Sequence, residues 1–205
     1  MNKDYRKLPY IIKDNFSLLF PDIKPASFDQ NIKNWLKKGE LIKLKRGLYI
    51  LNDYFSNCNN KEDYLYFLSS LLCSPSYISR ETVLSRYGIL SEAVYGIASV
   101  TLKTTRSFNS KIAVFNFSKI KESLFTGFTE NIFQGKKYYL ATKAKAFFDY
   151  LYFAKRSLQQ VNRKTVAELR LNLEPLSKND WQEFDRYLRI SKSEKIRRIY
   201  AVLRK

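Results

Sequence analysis

The chain contains no histidine in 205 residues. Histidine is the usual proton carrier near neutral pH, so Ser–His–Asp and Cys–His catalytic arrangements are excluded. Cysteine is nearly absent as well. Cys58 and Cys73 have neither the spacing nor the neighbours of a disulfide framework, and no Cys/His cluster has zinc spacing. Glycine occurs six times, and neither a G-x-x-x-x-G-K-[ST] loop nor G-x-G-x-x-G is present to cradle a phosphate. No apolar run approaches the length of a membrane span. The opening segment MNKDYRKLPYIIKDNF lacks the apolar core of a signal peptide. The expectation is therefore a cytoplasmic binding protein with reduced thiols, no metal, no cofactor and no catalysis of its own. Acidic pairs such as Glu62-Asp63 read as helix-start charges.

Acidic residues are also few. Nineteen Asp and Glu stand against 37 Lys and Arg, a formal net charge of +18. A field of that size draws polyanions and speeds their encounter. Fifteen Phe and 15 Tyr supply ample material for a packed core.

The most informative stretch is SFDQNIKNWLKKGELIKLKRGLYIL, residues 27–51. Phe28, Ile32, Trp35 and Leu36 share one helical face. Ser27 reads as the N-cap, with Gln30 completing a capping box. The opposite face carries Gln30, Asn31, Lys33, Asn34, Lys37 and Lys38, donors suited to phosphates or base edges. Gly39 ends this helix. Lys43, Lys45 and Arg46 then crowd around Gly47 in a β-hairpin. A polar, basic helix followed by a basic hairpin is the working end of a winged helix-turn-helix DNA reader. Residues 3–20 read as a helical lead-in, so residues 1–55 form the expected DNA-binding domain. The polar segment 56–61 is the expected linker.

Residues 61–205 predict an α+β domain with a small, mainly antiparallel sheet and C-terminal helices. Helices are expected over residues 62–73, after Ser79 (closing at Gly88), after Thr142, after Ser177 with Asp180, and after Ser191 with Glu194. Residues 95–103 and 111–117 read as an antiparallel pair around a basic turn at Thr104–Ser107. Short strands are expected near residues 124–126, 131–133 and 137–140.

Three blocks then carry a resemblance. They are LKKGELIKLKRGLYIL, SPSYISRETVLSRYGILSEAVYGIASVTLKTTRSF and YYLATKAKAFFDYLYF. In order and spacing they are similar to the wing, central and "I-A-x-x-E-K-A-L-x-D-x-x-Y" segments of the AbiEi family, antitoxins and transcriptional regulators of bacterial abortive-infection toxin–antitoxin systems. Ala144 stands where the family's glutamate precedes Lys145, Asp149 is kept, and Val83 replaces a small residue. The resemblance implies autorepression of an operon by binding inverted-repeat promoter DNA. It also implies neutralisation of a nucleotidyltransferase-like toxin, directly or indirectly, by the C-terminal domain. Tyr77, Ser79, Arg80, Lys103, Arg106, Lys145 and Asp149 are the candidate antitoxin surface. The alternatives are a stand-alone regulator with a ligand-sensing C-terminal domain, or an antitoxin that phosphorylates its toxin.

Overall fold

The computed structural model describes residues 7–18, 23–92, 94–155 and 158–204, apart from the Pro25 side chain. Residues 3–6, 19 and 20 of the expected lead-in helix lie outside the described residues. The remainder of that lead-in divides into strand β1 (Ile11–Ile12) and helix α1 (Lys13–Ser17). Pro9 lacks the N–H and the conformational freedom that a helix interior needs, and the two β-branched residues after it pair instead with Tyr49 and Leu48. Helix α2 spans Pro25–Lys38, so Ser27 lies inside it and is not its N-cap. Proline pre-sets the backbone at the first helical position, and Phe28 N–H already donates to the Lys24 carbonyl at 2.9 Å. Gly39 closes the helix, as its position in the sequence predicts.

Strands β2 (Leu41–Lys45) and β3 (Leu48–Leu51) form the expected hairpin. With β1 they make a three-stranded antiparallel sheet ordered β1-β3-β2. Strand side chains alternate between faces. Here Leu41, Tyr49 and Leu51 pack with Phe16, Phe28 and Ile32 beneath α1 and α2. Ile42, Leu44, Leu48 and Ile50 point the other way, into the core built by the rest of the chain. Burial on both faces is why LYIL is an unbroken apolar run. The segment expected as a linker is a tight connection between α3 (Asn52–Ser56) and α4 (Lys61–Leu72). Asn60 caps α4, its side chain accepting from Asp63 N–H at 3.1 Å. The two expected domains thus share one apolar core.

The second sheet has six strands: β4 (Ser76–Ile78), β5 (Ile97–Thr101), β6 (Arg106–Asn109), β7 (Val114–Lys119), β8 (Phe128–Phe133) and β9 (Lys136–Ala141). Their order is β6-β7-β5-β4-β9-β8. Three neighbouring pairs are antiparallel, whereas β5 with β7 and β4 with β9 are parallel. The expected antiparallel pairing of residues 95–103 with 111–117 is thereby corrected. Arg106–Asn109 forms a strand of its own and takes the antiparallel edge of β7. No strand forms over residues 124–126; Leu124 ends a 3₁₀ turn, Glu122–Leu124.

Helix α4 covers one face of this sheet, where Ser69 and Ser99 share a hydrogen bond of 2.8 Å. Helices α5 (Arg80–Arg86) and α6 (Lys143–Ala154) cover the other, followed by α7 (Arg163–Ala167), α8 (Lys178–Ser191) and α9 (Glu194–Leu203). The Ser177–Asp180 capping box and the Thr142 cap are present. Ser193, not Ser191, caps α9. Ser191 completes α8 and donates its hydroxyl back to the Leu188 carbonyl at 2.9 Å. No helix among the described residues is long and apolar enough to cross a membrane.

Truncating Ile50, fully buried between the two halves, to alanine is expected to destabilise the whole chain by about 3 kcal/mol. Denaturant unfolding followed by far-ultraviolet circular dichroism and by tyrosine fluorescence should show one coincident transition for both proteins. Two separated transitions would mean that the halves fold independently.

Candidate nucleic-acid interface and buried charge node

Gln30, Lys33, Asn34, Lys37 and Lys38 are exposed along α2, opposite buried Phe28 and Ile32; Asn31 is half-buried. Gln30 Nε2 donates to Asn34 Oδ1 at 3.2 Å, aligning two amides one turn apart. On the hairpin, Lys43 within β2 and Arg46 at the tip are exposed. Gly47 adopts φ +76°, a left-handed conformation that a hairpin turn favours and a side chain resists. The tip is anchored beside α2. Lys13 N–H donates to the Gly47 carbonyl at 2.9 Å, and the Lys13 ammonium pairs with Asp29 on α2 at 2.6 Å. The helix face and the hairpin tip are therefore parts of one continuous edifice.

Lys45 departs from its expected role as a DNA contact. Its ammonium donates to the carbonyls of Leu71 and Leu72 at 3.1 and 3.0 Å, at the C-terminal end of α4. A cation there complements unpaired carbonyls and the negative end of the helix dipole. Burial holds the Lys45 ammonium below the usual lysine value, and the nearby charges of Lys103 and Arg106 push it the same way. Strand β2 also packs against β6. Lys103 and Arg106, both exposed, accordingly lie beside the hairpin and extend its basic surface.

Four residues expected on an antitoxin surface are instead buried together. Lys145 and Asp149, one turn apart on α6, have no exposed side-chain surface, and their charged ends are 2.5 Å apart. The other carboxylate oxygen of Asp149 accepts from Tyr77 Oη at 3.0 Å and from Ser79 Oγ at 2.8 Å. The Lys145 ammonium also lies over the rings of Tyr77, Phe148 and Tyr187, at 5.6, 5.2 and 5.2 Å from their centroids. Burial pushes the Asp149 carboxyl above the ordinary carboxylate value and the Lys145 ammonium below its own; each charge partly offsets the other's shift. A lysine–aspartate pair one helical turn apart in an apolar segment is the residue pattern that the resemblance singled out. Its geometry makes it internal architecture, because no part of it reaches solvent.

Tyr187 closes the node. Its hydroxyl donates to Glu183, which also accepts from Thr142 Oγ1 at 2.8 Å. A Cβ placed on Gly127 would lie 2.0 Å from the Tyr187 hydroxyl oxygen, so only glycine permits this approach.

Arg80 lies between the node and the surface. It follows Ser79, whose hydroxyl is committed to Asp149 and does not cap α5. Arg80 takes φ +57°, at a cost of about 1–2 kcal/mol for a residue with a side chain. Its guanidinium donates to Ser118 Oγ at 2.6 Å and to Glu81 at 2.7 Å, and stacks 5.0 Å above Phe153. It borders a cavity of about 510 Å³ between α5, the loop before β5, and strands β5, β6 and β7. Sequence reasoning missed Ser107, Asn116 and Ser118 on its floor. The signal for them was the alternation Phe115-Asn116-Phe117-Ser118, with both phenylalanines buried and the polar residues less so. Compared with models of known protein families and with curated protein sequences, the chain matches none.

Replacing Asp149 with asparagine leaves the buried ammonium without a counter-charge and should destabilise the protein by about 3–5 kcal/mol. Lys145→Met combined with Asp149→Asn removes both charges and retains acceptors for Tyr77 and Ser79. It should recover at least half of that loss in a urea-melt comparison. Equal midpoints for Asp149→Asn and the parent would contradict the node's structural role.

Proposed function

We propose that this protein binds DNA through a winged helix-turn-helix, with α1 and α2 as the helix pair and the β2–β3 hairpin as the wing. The observation that carries the reading is the row of exposed donors along α2, Gln30, Lys33, Asn34, Lys37 and Lys38, with a basic hairpin anchored beside it through Lys13. Asp29, the acidic residue on α2, is already paired with Lys13. An amide pair such as Gln30 and Asn34 suits the major-groove edge of adenine, which presents one acceptor and one donor. Lys37 and Lys38, in the last turn, are suited to phosphate. Lys43 and Arg46 on the hairpin, with Lys103 and Arg106 behind them, suit the backbone or the minor groove.

The resemblance to AbiEi antitoxins adds the biological setting: repression of the protein's own operon at inverted repeats, and neutralisation of a nucleotidyltransferase-like toxin encoded beside it. The shared core bears on how the two activities are to be separated. Residues 61–205 alone would expose the surface that Ile42, Leu44, Leu48 and Ile50 cover, so point variants in the full chain are the cleaner instrument. A second reading, a regulator that senses a ligand through its C-terminal domain, is favoured by the cavity beside Arg80.

Lys43→Ala with Arg46→Ala should leave the fold intact and weaken binding to the promoter region. The salt dependence of binding should fall by roughly one unit of slope for each phosphate no longer neutralised. Growth arrest on inducing the adjacent gene should still be relieved by this double variant. Loss of rescue with the fold retained would break the assigned division of labour. Absence of toxicity from the neighbouring gene would remove the antitoxin half of the proposal.

A further inference from the structure

The cavity at Arg80 combines features that the DNA reading leaves unused. At about 510 Å³ it has the size of a small-ligand site. A guanidinium carries five N–H donors, and hydrogen bonds to Ser118 and Glu81 occupy two of them. Each terminal nitrogen keeps one further N–H, and Nε is buried without a partner among the described residues. The orientation is fixed before any ligand arrives. Stacking on Phe153 and a left-handed backbone position hold the side chain, and Asp149 locks the preceding Ser79. A strained residue beside a cavity, held by a buried network, is the usual form of a preorganised site.

The floor is polar because β7 turns Asn116 and Ser118 to this side, next to Ser107 of β6, whose hydroxyl donates to Asn116 Oδ1 at 2.6 Å. Asn116 uses its amide oxygen in this bond, and its amide nitrogen supplies two further N–H donors. The lining also carries two carboxylates: Glu81, paired with Arg80, and Glu92, which accepts from Arg170 at 2.9 Å and retains further acceptor sites. Tyr95, 90% exposed, stands at the rim as an open aromatic face. Anion-binding donors, carboxylate acceptors and an aromatic ring around one cavity match a ligand with a phosphate, vicinal hydroxyls and a planar base. Inorganic phosphate would use only the first of these, and a neutral sugar would leave the guanidinium unused.

We propose that this cavity binds a nucleoside monophosphate. The phosphate lies on Arg80, the ribose hydroxyls face Glu92, and the base packs between Tyr95 and the Asn116 amide. Neither α2 nor the hairpin contributes to the lining of this cavity.

The experiment is a ¹H–¹⁵N NMR titration of the full chain with AMP, GMP, CMP and UMP, with inorganic phosphate and adenosine as controls. At least one nucleotide should give saturable shifts at the amides of Ser107, Asn116 and Ser118, more tightly than phosphate or adenosine. Arg80→Lys keeps the charge but loses the planar fork, and should weaken binding at least about tenfold. Asn116→Ala, at a half-buried position on the inner strand β7, should weaken it similarly while the protein stays folded, and it carries the test if Arg80→Lys fails to fold. Shifts confined to α2, the hairpin or the C-terminal helices, no saturable shift with any nucleotide, an equal response to inorganic phosphate, or binding unaffected by Asn116→Ala would each overturn the proposal.

Discussion

The buried pair of Lys145 and Asp149 is the interaction on which the larger part of the molecule depends. Both charges are wholly removed from water, and an isolated charge there would be very costly. The structure accommodates them by surrounding the pair with specific partners. Strand β4 contributes Tyr77, the turn after it contributes Ser79, and α8 contributes the ring of Tyr187. Gly127 leaves room for that ring at the start of β8. Three separate stretches of chain are therefore positioned by one pair, and the order of elements around α6 has little freedom. Whether the charged pair contributes net stability matters less than the specificity it imposes. Strand β4 can meet α6 in one register, because only one register brings both hydroxyls to the same carboxylate oxygen.

A second constraint mounts the N-terminal unit on this frame. The β2–β3 hairpin is covered on one face by α1 and α2 and on the other by the remainder of the chain. Lys45 ties the same hairpin to the end of α4. The hairpin is thereby held beside Lys103, in the connection after β5, and Arg106, at the start of β6. The loop that bears Arg106 continues into Thr105 and Ser107, which line the Arg80 cavity, so the two candidate sites are adjacent in the chain as well as in space.

The elements legible in the sequence were those governed by local rules. Helix α2 and its glycine stop, the hairpin around Gly47, α4, and the caps at Thr142 and Ser177 follow from periodicity and capping chemistry. What failed depended on tertiary context. Ile11–Ile12 has no helical alternative after Pro9, but its strand becomes visible only once β3 is there to pair with it. The parallel pairing of β5 with β7 is a non-local outcome; Arg106–Asn109 inserts a strand where the sequence shows a basic turn. The same limit applies to the sites. Exposed donors on α2 could be assigned from helical spacing alone. Lys45 looked like its neighbours, because nothing local announces that α4 ends beside it. Lys145, Asp149, Tyr77 and Ser79 were singled out together, and they do meet, but as a buried node. A motif shows that residues act together without showing whether solvent reaches them.

The central claim is that α2 and its hairpin read DNA. The most direct measurement is a nuclease-protection footprint of the full chain on the DNA upstream of its own gene, titrated at fixed ionic strength. The account predicts two protected half-sites related by an inverted repeat, lost when Lys33, Asn34 and Lys37 on the outer face of α2 are replaced together by alanine while the protein remains folded. Protection spread evenly along the DNA, or a footprint that survives those replacements, would contradict it.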